Sequence, residues 1–264
     1  EPSEINTVIG DRLKESRIIK TNKKIEYFNV PCSFDIETTS FFRSTGNEQE
    51  KAAIMYEWTL GLNGAVIIGR TWEEFLFVVN ALIERLGLWD YKRLIIYVHN
   101  LAFEFQFMRK LFEWKNVFSL DIRKPLYALT VNGIEFRCSY LLSGYSLKKL
   151  GDELQKYPVQ KMVGDLDYKL IRHSKTELTE KELKYCENDA RVVMSYIQER
   201  IEEDGNITRI PLTKTGYVRN YVRNECMYSG SHKKNARKYI NFRKVMDGMH
   251  ITFLKFIYFL AFFL

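Results

Sequence analysis

The sequence is poor in cysteine and histidine: Cys32, Cys138, Cys186 and Cys226 lie far apart, form no CxxC pair, and are accompanied by only four histidines. A disulfide framework and a structural zinc site are therefore not expected, and a reducing cytoplasm is the expected setting. The polar start at Glu1 bears no resemblance to a charged-then-apolar signal sequence, so export is not expected. Lacking an initiator Met, the chain reads as a fragment or a processed form. Internal repeats and low-complexity tracts are also missing. Residues 251–264 are almost wholly apolar apart from Lys255, but the run is too short to cross a bilayer as a helix, so no membrane anchor is expected. That tail reads either as a buried segment parted from its partners or as a departure from a parent reading frame. Both readings make it an aggregation liability.

The 264 residues are 46% hydrophobic and 14% aromatic, enough for one large core or for one domain and part of a second. The net charge of +7 is uneven, because residues 211–244 hold nine Lys/Arg against one acid, Glu225. Tyr217, Tyr221, Tyr228 and Tyr239 are interleaved with those cations. Such a segment suits a phosphate backbone with bases to stack, and it equally suits a solvated helical face. The expected organisation is a lead-in over residues 1–30, a main domain over 31–204, a basic segment over 205–250 and the apolar tail over 251–264.

Periodicity predicts an α/β chain with a mixed sheet. Strands are predicted at residues 32–38, 53–60, 65–68 and 94–98, the last a continuous apolar run of the buried kind. Further strands are predicted at residues 117–122, 126–131 and 134–139, with Asn132-Gly133 as a tight turn. A helix follows the Thr71/Glu74 capping box and ends at Gly87, and a second helical pattern covers residues 101–112. The clearest helix, opened by a Thr179/Glu182 capping box, runs to Asp204 and stops at Gly205.

Three short motifs hold chemistry. Asp35 and Glu37 stand two apart on a strand, so both carboxylates leave one face while Phe34 and Ile36 leave the other. Two oxygen ligands on a rigid strand suit magnesium or manganese. With 33 acids in 264 positions, such a pair arises by chance about four times, so alone it reads equally as a solvated edge pair. His99-Asn100-Leu101-Ala102-Phe103-Glu104 lies where the apolar strand passes into a helix, the end at which α/β proteins place ligands. Glu104 also reads as an acid favoured by the helix dipole, Asn100 as a helix cap and His99 as a core histidine. In Tyr185-Cys186-Glu187-Asn188-Asp189, the four-residue spacing sets a phenol and a carboxylate on one helical face. Asp189 can ligate a metal while the Tyr185 hydroxyl orients a water. An amphipathic helix with a half-buried Tyr has the same spacing.

Taken in this order, the three motifs resemble those of DEDD exonucleases with a Tyr in the third. More narrowly, five stretches are similar to the protein-primed family-B DNA polymerases of bacteriophages and linear plasmids. They are Phe34-Asp35-Ile36-Glu37-Thr38-Thr39, His99-Asn100-Leu101 with Phe103, Ser146-Leu147-Lys148-Lys149-Leu150, Gly164-Asp165-Leu166-Asp167-Tyr168, and Tyr185 to Asp189. The similarity covers about residues 31–198.

That resemblance implies a ribonuclease-H-like fold and a proofreading 3′-to-5′ exonuclease. Asp35, Glu37, Glu104 and Asp189 would bind two divalent ions, Mg2+ or Mn2+, one serving the attacking water and the other the leaving 3′ oxygen. Thr38, Asn100, Phe103, Ser146 and Leu147 stand at positions that in the family contact the frayed 3′ end of single-stranded DNA, with His99 adjacent. Two departures stand out. Glu104 occupies a position where the family usually has Asp. Val163 precedes Gly164-Asp165 where the family often has an assisting Lys, and Lys161, two residues earlier, is the candidate for that role. The carboxylate motifs of a nucleotidyl-transfer site are missing from this sequence, so no polymerase activity is expected of it, and the basic segment reads as the start of a polymerase module. Through its parent polymerase, the chain is also expected to meet a terminal priming protein. Two other readings stay open: a free-standing DEDD exonuclease, and a nuclease-impaired module that binds DNA or a partner.

Overall fold

The computed structural model describes residues 2–45, 48–119, 121, 124–159 and 170–228. The chain divides into two compact units, Glu1–Lys214 and Thr215–Leu264. The first unit opens with α1 (Pro2–Ile9), a π-helical turn at Gly10–Lys14, β1 (Ile18–Lys20) and β2 (Glu26–Phe28). Next come β3 (Cys32–Thr45), β4 (Glu48–Leu62), β5 (Ala65–Gly69), α2 (Trp72–Leu86), β6 (Lys92–Val98) and α3 (Leu101–Met108). The strands β7 (Trp114–Ser119), β8 (Pro125–Thr130) and β9 (Ile134–Cys138) lead into α4 (Ser139–Ser143), α5 (Leu147–Asp152) and α6 (Glu180–Asp204). α7 (Lys214–Tyr228) begins at the unit boundary and exposes Val218, Tyr221 and Val222. Residues 229–250 of the expected basic segment and all of the apolar tail lie outside the described residues.

The main sheet runs in the order β5-β4-β3-β6-β9-β8-β7. β3, β4 and β5 form an antiparallel meander, β6 and β9 continue from β3 in parallel, and β8 and β7 return antiparallel. This mixed sheet flanked by helices is the α/β class expected from the sequence, and it is consistent with the ribonuclease-H-like fold that the resemblance implies. β2 adds a short parallel pairing to β6 and an antiparallel one to β1. No helix among the described residues is long and apolar enough to cross a membrane.

One layer is built on α2. Its capping box is present in full: Thr71 Oγ1 accepts from the Glu74 amide at 3.2 Å, and Glu74 Oε2 accepts from the Thr71 amide at 3.0 Å. The apolar stripe of α2 buries Phe75, whose ring lies 4.6 Å from Phe34 and 5.3 Å from Trp58, centroid to centroid. Full burial of such a side chain stabilises by about 1.5–3 kcal/mol. The second layer is α6, which lies across β3 and β4 and reaches β5 and β6. β3 is therefore covered on both faces, by apolar Phe34 and Ile36 on the α2 side and by polar groups on the α6 side.

Element boundaries depart from the sequence reading where tertiary contacts intervene. The predicted helix over residues 101–112 ends at Met108, because the following turn packs Leu111 and Phe112 into the α2-side core. β7 begins at Trp114, earlier than predicted. The Trp114 indole donates to the Arg109 carbonyl at 2.9 Å and rests 5.4 Å from the Phe112 ring. The Asn132-Gly133 turn lies where predicted. Gly133 has φ +84, and a Cβ there would meet the Trp89 carbonyl oxygen at 2.4 Å, so only glycine fits.

Candidate metal centre

β3 supplies Asp35 and Glu37 to the α6 side of the sheet. Asp35 is half-buried and Glu37 is buried. A bulge between Glu37 and Thr38 ends the regular alternation immediately after this pair, and Thr38 is half-buried beyond it. α6 brings Asp189, 5% exposed, onto the same spot. One ligand oxygen from each of Asp35, Glu37 and Asp189 lies within 4.8 Å of the other two. Tyr185, one turn earlier on α6, is 6% exposed.

The fourth carboxylate arrives from α3. Glu104 lies in the first helical turn and is buried, with its carboxyl against that of Asp35. Burial, followed by the negative charge of Asp35, holds Glu104 well above the ordinary carboxylate range. Its Oε2 is buried and meets no hydrogen-bond donor. An oxygen left in that state, with the carboxyl of Asp35 against it and the charge of Glu37 nearby, fits a divalent cation. The donor set is all hard oxygen, as magnesium or manganese requires. Glu104 thus lies on the Asp35 side of the cluster, outside the three-carboxylate group of Asp35, Glu37 and Asp189.

The helix that carries Tyr185 and Asp189 is set by its own start. Thr179 Oγ1 accepts from the Glu182 amide at 3.3 Å, and Glu182 Oε2 accepts from the Thr179 amide at 2.8 Å. Glu182 Oε1 also accepts from Arg172 Nε at 3.0 Å, and the Arg172 amide donates to Thr39 Oγ1 at 2.9 Å. The entry to α6 is thereby tied to β3 two residues beyond Glu37.

The other predicted residues fall into two groups. His99, Asn100 and Phe103 lie around the β6-to-α3 junction. Asn100 is exposed, adopts the left-handed conformation (φ 77) that Asn tolerates, and makes no side-chain capping bond to α3. Phe103 is 41% exposed, a large ring open to solvent within one residue of Glu104. His99 Nδ1 is 3.1 Å from Ser139 Oγ, and its ring meets that of Tyr140 edge-on at 5.7 Å. Ser146 and Leu147 form the start of α5, where Ser146 Oγ accepts from the Lys149 amide at 3.4 Å and Leu147 is half-buried. Lys161 and the run from Gly164 to Tyr168 lie outside the described residues.

Sequence reasoning missed four residues that the fold brings to this region. Glu57 and Thr59 on β4 pair with Glu37 and Asp35 on β3 and are each only 1% exposed. Burial pushes Glu57 up to about 8, the charge of Asp35 adding to the effect, although Thr59 Oγ1 donates to Glu57 Oε1 at 2.5 Å. An acid inside the apolar run around Tyr56 and Trp58 is the signal that marked it. Ser139 and Tyr140, just after β9, are the other two, and Tyr140 is 44% exposed beside His99.

No protein-family model and no curated protein matches the chain by sequence. Among solved structures, it is similar to phi29 DNA polymerase complexed with primer-template DNA and incoming nucleotides. The TM-score is 0.52 and the identity 17%, over 65% of this chain and 31% of that one. Weaker likenesses, which carry no argument, are to phi29 DNA polymerase with single-stranded DNA (TM-score 0.47, 19% identity, 64% of this chain and 31% of that one) and to the catalytic core of RRP6 from Trypanosoma brucei (TM-score 0.43, 7% identity, 80% and 48%). The chain thus spans less than a third of the polymerase it matches, and at this identity the likeness is one of fold.

Proposed function

We propose that the chain is the 3′-to-5′ exonuclease part of a DNA polymerase of the protein-primed family-B kind, degrading single-stranded DNA from its 3′ end. One observation carries this reading: Asp35, Glu37 and Asp189, more than 150 residues apart at the extremes of the motif order, bring ligand oxygens within 4.8 Å of one another, with Glu104 against Asp35.

Asp35, Glu37, Glu104 and Asp189 would hold the divalent ions. When bound, such ions lower the pKa of water and neutralise charge on a leaving oxygen. The chain's own groups do the rest. Tyr185 orients the attacking water through its hydroxyl. Phe103 offers an exposed face on which the terminal base stacks, with Asn100, Thr38 and His99 as polar groups around the frayed end. Ser146 and Leu147 remain candidates for a contact further along the strand, and Lys161 for the assisting cation. Contact with a terminal priming protein would come through the parent polymerase.

The test is hydrolysis of a 5′-labelled single strand by the purified chain with Mg2+ or Mn2+, set against simple retention of the strand on a gel. Stepwise 3′ shortening that stops on chelation is expected. Retention without shortening would turn the reading into that of a DNA-binding module, and shortening of RNA as readily as DNA would favour a free-standing exonuclease.

A further inference from the structure

Behind the carboxylates that face the proposed ions lies a second polar layer. Glu57 and Thr59 are opposite Glu37 and Asp35 in the β3–β4 ladder, so their side chains leave the same face of the sheet. Both are closed off from solvent, and so is Cys186 on α6, at 1% exposure. Thr59 donates to one oxygen of Glu57 at 2.5 Å, and the Cys186 thiol hydrogen-bonds to the same carboxyl. Cys186 directly follows Tyr185 and precedes Asp189 by three residues, so it belongs to the helical turn that carries both. A carboxyl buried this deeply is costly, and an apolar side chain of equal volume would fill a plain core better.

We propose that Glu57 is a positioning residue of the metal centre: held by Thr59, its carboxyl seats the Tyr185-to-Asp189 turn of α6 against the strand bearing Asp35 and Glu37. This rests on the preceding reading only in that those carboxylates bind divalent ions. Glu57 acts through its shape and its two hydrogen bonds. Groups that orient metal ligands in this way typically contribute about tenfold to a hundredfold to affinity.

The experiment compares Glu57→Ala, Glu57→Gln and Cys186→Ala with the parent chain. Mn2+ affinity is measured without DNA, and kcat and KM are measured on a labelled single strand. Glu57→Ala is expected to weaken Mn2+ binding by about tenfold or more and to lower kcat while KM for the strand stays put. Glu57→Gln keeps an acceptor for Thr59 and Cys186 and is expected to restore most of the loss. Cys186→Ala is expected to move in the same direction by a smaller amount. Parental Mn2+ affinity in Glu57→Ala overturns the proposal. Glu57→Gln as weak as Glu57→Ala also overturns it, since the charge would then itself be a ligand. If circular dichroism shows Glu57→Ala unfolded, Cys186→Ala decides, and unchanged Mn2+ affinity there is the overturning result. A parent chain that binds Mn2+ but leaves the strand intact sinks the nuclease reading alone. One that binds no Mn2+ sinks both.

Discussion

The hydroxyl of Ser33 donates a 2.9 Å hydrogen bond to the carbonyl oxygen of Ala190, which ties the residue two before Asp35 to the residue directly after Asp189. The contact is tight. A Cβ at Gly61 would come within 2.4 Å of that Ser33 hydroxyl and 2.6 Å of Met194 Sδ. Gly61→Ala is therefore expected to push α6 off the sheet, costing about 1–3 kcal/mol of stability as overpacking does. Urea unfolding measures the loss, and a midpoint equal to that of the parent would show that Met194 and Ser33 give way freely.

Replacing Asp35 and Glu37 together by Ala should abolish 3′-end degradation while leaving the fold intact. Both acids face the cluster and repel their neighbours when no cation is present, so their loss relieves strain in the metal-free chain. Far-ultraviolet dichroism and a labelled-strand assay check the two halves. Undiminished cleavage by a folded double mutant would refute the metal assignment.

Tyr185→Phe should slow cleavage by about a hundredfold and leave Mn2+ affinity as it was, because only a hydroxyl that orients water is removed. The ring still fills its buried place on α6. Metal titration alongside single-turnover cleavage separates the effects, and a drop in affinity would assign Tyr185 another role.

Stability of the metal-free chain should fall as pH rises from about 4.5 to about 8. Burial, with the charge of Asp35, lifts Glu57 from its ordinary 4.5 to about 8, so between those values the folded chain holds a proton that the unfolded chain has lost. Stability then declines with pH by up to about 1.4 kcal/mol per pH unit for such a group. Glu104, raised in the same direction, adds to the slope. Unfolding by urea across this range should show the decline, a shallower one in Glu57→Gln, and recovery at the alkaline end on adding Mn2+. A flat profile would mean that both carboxyls ionise freely in the folded state.

Much of the site was legible because its pieces are periodic. Asp35 and Glu37 share a strand face by alternation, and Tyr185 and Asp189 share a helix face by their four-residue spacing. Both capping boxes were legible for the same reason, since each is a contact between residues three apart. Boundaries were less so. Met108 and Trp114 mark ends that depend on Phe112 and Phe136, side chains with which they share a core and no local rule.

The sequence by itself therefore determined the types of the elements it predicted, the turn at Gly133 and the pairing of Asp35 with Glu37 on one strand face and of Tyr185 with Asp189 on one helix face, because hydrogen bonding and side-chain direction within one element follow from the order of residues along it. Only the tertiary structure decided which faces meet. The Ser33–Ala190 bond joins positions 157 residues apart, and no periodicity relates them. The same is true of Glu57, buried opposite Glu37, and of Glu104, brought from α3 onto Asp35. Their chemistry comes from exclusion of water and from neighbouring charge, which exist only once distant segments pack together.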